Sequence, residues 1–203
     1  MMLEDGYSAM KIEKEYGATR QSVAKFLEGR NIKTIRANHY RLYTHDYDYF
    51  EKIDTEEKAY WLGMIYADGY VCTNKHVVGL SLKLEDQEHV LAFTKFMKFN
   101  GGCNITQTTK YNSKEKGGYM CSTMITNEYL WNSLINKGVV PHKSLILEFP
   151  KEEWFSDKSL IYHFIRGYCD GDGTLGVYQH SKTNHTMEES LMFVGTKNFL
   201  EGI

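Results

Sequence analysis

Cysteine is scarce and scattered in this chain. Cys72, Cys103, Cys121 and Cys169 form no Cys-x-x-Cys pair, which argues against a zinc ribbon or a disulfide framework and leaves reduced thiols as the simplest state. Only two prolines, Pro141 and Pro150, interrupt the 203 residues, so long regular elements are open to the chain. No apolar run approaches the roughly 18 residues that a membrane span requires, and no membrane partner is expected. The opening residues, Met1-Met2-Leu3-Glu4-Asp5-Gly6, show no basic segment ahead of an apolar stretch, so secretion is not expected. An excess of positive charge is missing too. The formal net charge is −2, which by itself argues against a polyanion partner. Its distribution argues the other way. Between residues 20 and 41, Arg20, Lys25, Arg30, Lys33, Arg36 and Arg41 face one acid, Glu28, and between residues 95 and 116 five lysines face Glu115. Phosphate binding depends on such local density more than on the total.

What the chain does have is a repeat. Trp61-Leu62-Gly63-Met64-Ile65-Tyr66-Ala67-Asp68-Gly69 and Ile165-Arg166-Gly167-Tyr168-Cys169-Asp170-Gly171-Asp172-Gly173 follow one pattern, with their final aspartates 104 residues apart, the separation of a duplicated domain. The spacing predicts a helix over residues 56–67, apolar on most sides and therefore buried, with Thr55 as a partial cap. Ala59, Gly63 and Ala67 recur every four residues and make a flat strip along it. A second helix over 158–171 carries Gly167 and Gly171 in register with Gly63 and Ala67. Small residues let two helix backbones approach closely, so the two strips are expected to pack on each other. Each helix then ends in a carboxylate, Asp68 or Asp172. A carboxylate there faces the negative end of the helix dipole, and a cation beside it reverses that penalty. Asp170 is a further acid in the second copy, but its counterpart in the first is Tyr66, so the repeat gives it no shared role.

Elsewhere the pattern changes. Residues 8–16 and 20–28 read as two helices around Gly17, in an arrangement that resembles a helix-turn-helix of the resolvase or repressor kind, with Arg20, Gln21, Ser22 and Lys25 on the helix that would read DNA. After each repeated helix the periodicity falls to two. Leu80, Leu82 and Leu84 alternate with Gly79, Ser81 and Lys83, a strand with one buried face. A helix is expected over 90–99, a hairpin over 101–126 with its turn at 114–118, and a short helix over 127–136 ending at Gly138. Strands follow at 176–182 and 190–195, and a last helix begins at 197–200.

The repeated segments resemble the LAGLIDADG homing endonucleases, whose name spells the nine-residue motif. Phe50-Glu51-Lys52-Ile53-Asp54 leading into Ala59-Tyr60-Trp61-Leu62-Gly63 is similar to the approach to the first motif. Gly138-Val139-Val140-Pro141-His142-Lys143-Ser144-Leu145, with Phe149-Pro150, is similar to the close of a first repeat. The resemblance spans about residues 50–203. It implies an α/β (α+β) fold in which two motif helices meet at a pseudo-two-fold axis and each carries a saddle-shaped antiparallel sheet. It also implies a site-specific double-strand DNA endonuclease using Mg2+ or another divalent cation, acting as a monomer on a long, roughly pseudo-palindromic site. The setting it implies is a bacterial or phage-infected cytoplasm, or an organelle. By this resemblance Asp68 and Asp172 bind metal, and Lys143 matches a lysine beside the scissile phosphate, where its charge offsets the developing negative charge.

The expected organisation is a helix-turn-helix segment at 1–31, a linker at 32–51, a first repeat at 52–150 and an incomplete second repeat at 151–203. That incompleteness implies a weak or inactive nuclease. Strands laid in the major groove present alternate side chains to the bases, and Ser81, Lys83, Gln107, Thr109, Lys110, Gln179 and Lys182 are the candidates here. A non-catalytic DNA-binding regulator and an RNA maturase are the alternatives that share the fold. Protein splicing is not expected, because no Cys or Ser opens the chain and no His-Asn closes it.

Overall fold

A computed structural model describes residues 17, 19, 21–22, 25–26, 45–109, 116–179 and 187–203. The chain divides into two compact units, Met1–Tyr43 and Thr44–Ile203. In the first, the helix-turn-helix reading and Arg20 lie largely outside the described residues. Gly17 has φ +66°, the left-handed conformation that stops a helix. Thr19 Oγ1 accepts a hydrogen bond from Ser22 N at 3.3 Å, as a helix cap does. Gln21, Ser22 and Lys25 are helical and exposed.

The second unit is mixed α+β with antiparallel sheets. Helix α1, Glu56–Ala67, has the expected limits. Thr55 accepts from Lys58 N at 3.2 Å, two acids occupy the first turn, and Lys58 reaches back to Asp54 at 2.8 Å instead of closing a capping box. β1, Gly69–Cys72, and β2, Val77–Lys83, form the hairpin that follows. Helix α2 is Gln87–Phe96, β3 Asn104–Thr109, β4 Lys116–Thr126 and helix α3 Glu128–Asn136. The four strands run antiparallel in the order β1-β2-β4-β3. Helix α4, Leu160–Asp172, leads into a two-stranded sheet of β5, Gly173–Gln179, and β6, Met187–Phe193, with a short helix α5, Lys197–Leu200, after it.

Period two decides what the first sheet buries. Val71, Val78, Leu80, Leu82, Cys121 and Ile125 are sealed in a core that includes Val90 and Phe93 of α2 and Leu130 and Leu134 of α3. Ser81 and Lys83 lie on the opposite face. Gly79, expected on that polar face, is itself buried, because the Tyr70 ring from β1 lies across it.

Several limits differ from the sequence reading. Helix α2 begins at Gln87 and stops early, since Lys98 takes φ +47° and Phe99 N turns back to Thr94 O at 2.8 Å. Gly117 and Gly118 belong to β4, not to the hairpin turn, and 110–115 lie outside the described residues. β5 starts at Gly173, directly after Asp172, and its pairing with Phe193 draws both strands of that hairpin earlier than expected. The linker expected at 32–51 needs correction at its end. Phe50 is fully buried, Tyr49 packs on Phe96 with ring centroids 4.4 Å apart, and Asp46 N donates to Met97 O at 2.8 Å. An aromatic pair can bury as much apolar area as a helical turn, which a reading based on periodicity does not register. Just beyond it, Ile53 bridges Phe155, and Ser156 N donates to Ile53 O at 2.9 Å, so the approaches to α1 and α4 are tied together.

Candidate active site

Helices α1 and α4 cross with their backbones in contact. A Cβ on Gly63 would strike Phe164 O and come within 2.8 Å of Tyr168 N. One on Gly167 would strike Tyr60 O and come within 3.1 Å of Met64 N. Positions 63 and 167 are equivalent in the repeat, as are 60 with 164 and 64 with 168, so each helix uses the same surface on the other. Such reciprocity is what a two-fold relation between like elements produces. One turn further on, a Cβ on Gly171 would collide with that of Ala67 and lie 2.7 Å from Asp68 Oδ2.

This crossing brings Asp68 and Asp172 together. Asp68 caps α1, its N–H donating to Met64 O at 3.0 Å, and the chain turns at once into β1. Asp172 ends α4 and is followed by the extended Gly173. Both are partly buried. Burial pushes the Asp68 carboxyl up, Asp172 adds to that, and Lys143 opposes it. Lys143 arrives from a short 3-10 turn, Lys143–Leu145, after His142 at φ +58°. It is only 8% exposed, and its Nζ donates to Ala67 O at 2.7 Å, capping the carbonyl end of α1. Burial pulls its ammonium down, while Asp172 and Asp68 hold it up. Two carboxylates and one ammonium therefore share the end of the helix pair, and one negative charge is left over. The Tyr168 hydroxyl, pushed up to about 12 by burial and then by Asp172, donates to Val194 O at 2.7 Å.

A cleft of about 600 Å3 opens beside Asp68, lined also by Ser81, Lys83, Asp86, His89 and Asp170. Tyr60, His89 and Asp170 meet at its edge. The Tyr60 hydroxyl lies 2.8 Å from Asp170 Oδ2 and 3.0 Å from His89 Nε2. The sequence singled out neither Tyr60 nor His89, and it set Asp170 aside. No periodicity marks this trio, since Tyr60 and Asp170 are 110 residues apart.

Among the described residues of the first sheet, Ser81 and Lys83 do not share a face with Gln107. Ser81 pairs with Ser122 and Lys83 with Met120, and Asn104 and Thr106 stand opposite the same two β4 residues. Gln107 pairs with Tyr119, which the strand alternation sets on the Cys121 side, away from Ser81 and Lys83. Thr109 lies past an irregularity in that ladder. Gln179 ends β5 opposite Met187, and Lys110 and Lys182 lie outside the described residues. No family model and no curated protein matches this chain.

Proposed function

We propose that this protein is a divalent-metal-dependent DNA endonuclease of the LAGLIDADG homing type, and that the α+β unit is that fold. The observation that carries the reading is the reciprocal glycine crossing of α1 and α4, which ends in Asp68, Asp172 and a buried Lys143.

The donor set suits Mg2+. Among the described residues there is no cluster of three or more His, Cys, Asp or Glu arranged for an ion. Mg2+ does not need one, because it commonly takes one or two carboxylates and completes its shell with water and phosphate oxygens. Asp68 and Asp172 are hard oxygen donors with an uncompensated charge between them, so they would hold it. A divalent cation there supplies charge neutralisation for the phosphate and activation of water. The chain's own groups do the rest. The two carboxylates fix where a cation would sit, one at the end of each motif helix, and so where the phosphates of the two strands would be drawn. Lys143, kept in place by Ala67 O, presents a positive charge to a phosphate at the dyad. Hydrolysis adds the water oxygen to phosphorus as that water gives up a proton to solvent, and breaks the bond to one sugar oxygen, which leaves as a hydroxyl after taking a proton from solvent. Ser81 and Lys83 face outward, as side chains meeting DNA would.

A randomised duplex library incubated with excess protein in Mg2+ tests this, with cut ends read by sequencing. Weak cutting that recurs at particular sites is expected, and Asp68→Asn or Asp172→Asn should lower it at least about a hundredfold. Duplex binding without any cutting would replace this reading with the regulator, and preference for structured RNA at fixed salt would replace it with the maturase.

A further inference from the structure

The two halves of the candidate site are not alike. Phe164 stands where the first repeat has Tyr60, and Tyr66 stands where the second has Asp170. On the Asp68 side this makes a polar chain. A tyrosine has one O–H; donating it to Asp170 leaves the oxygen to accept from His89 Nε2–H. The Arg166 guanidinium sits 5.0 Å from the centre of the Tyr60 ring. Asp170 is exposed and lines the cleft it shares with Asp68. On the other side the same positions are closed. Phe164 is fully buried and meets Tyr66 edge-on at 4.9 Å. The Tyr66 hydroxyl is spent on Lys137 O, inside the core.

We propose that the His89–Tyr60–Asp170 chain is a positioning device for water at the Asp68 side alone, so that one DNA strand is cut faster than the other. Asp170, aimed by Tyr60, accepts a hydrogen bond from the attacking water and orients its lone pair toward phosphorus. At the equivalent position on the Asp172 side stands Tyr66, whose hydroxyl is taken by Lys137 O. Tyr60 and His89 act through Asp170 and touch no reacting atom. This inference rests on the endonuclease reading above.

The test uses a duplex recovered from the library, with a different fluorophore on each strand, under single-turnover conditions in Mg2+. Tyr60→Phe and Asp170→Asn should each slow the same strand roughly tenfold or more and leave the other within about twofold. Binding of that duplex in Ca2+, followed by anisotropy, should stay within about twofold of wild type, as should the melting profile of the free protein. Equal slowing of both strands, slowing of neither, opposite strands for the two variants, or lost duplex binding would overturn the proposal. If the wild-type protein cuts neither strand, it is the endonuclease reading that has failed, and this inference goes with it.

Discussion

Asp68 carries its charge where the protein makes that charge costly. Burial and Asp172 both disfavour the carboxylate, and Lys143 only partly offsets them. The folded-state pKa is therefore above the unfolded one, so the folded protein binds the extra proton. The stability tied to that proton is fully present below the unfolded value, about 4, and is lost as pH rises through the folded value. In metal-free buffer, Asp68→Asn should thus raise the melting temperature at pH 7, and the gain should fade as pH falls toward about 4. A variant less stable than wild type at pH 7 in EDTA would contradict this. Under the proposed endonuclease function the same substitution should lower cutting, so stability and activity should move in opposite directions at one residue.

Helix α1 could be read locally because its signals are local. Thr55 and two first-turn acids mark its start, and Asp68-Gly69 marks its end. Gly63 and Gly167 also announced a close crossing, and the crossing is tight enough to forbid a methyl group. Gly167→Ala would drive a Cβ into the Tyr60 carbonyl, with backbone on both sides and no flexible side chain to yield. The expected loss is at least about 3 kcal/mol in denaturant unfolding. Gly118→Ala, with nothing within 4 Å of the added methyl, should change stability by less than about 1 kcal/mol. Similar losses for the two variants would mean that the helices do not meet through Gly167. Strand limits were less legible. Where β5 begins depends on Phe193, and where Gln107 points depends on its β4 partner, neither of which a local pattern contains.

For the molecule as a whole, the two hairpins after the motif helices start at equivalent residues, Gly69 and Gly173, and differ in cover. Val71 pairs with Val78 in the first, and Leu175 with Leu191 at the equivalent place in the second. Val71 and Val78 are buried among α2, α3 and β4, whereas Leu175 is 78% exposed and Leu191 54%. Val78→Ala should therefore cost about 2 kcal/mol, while Leu191→Ala should stay within about 0.5 kcal/mol. Calorimetry that ranked the two the other way would show that the second sheet is covered in solution.

From the order of residues alone came the repeat, the buried character of α1, the small-residue strips and the two terminal aspartates. Each of these is a matter of spacing along a helix, and helical spacing is the same whatever surrounds it. Lys143 was reached through family resemblance, since a lone lysine in a loop carries no pattern of its own. Only the tertiary structure joined Tyr60 to Asp170 and His89, placed Phe50 in the core and set Gln107 and Ser81 on opposite faces. Those outcomes depend on which distant segments pack together, and packing is decided by the whole chain at once.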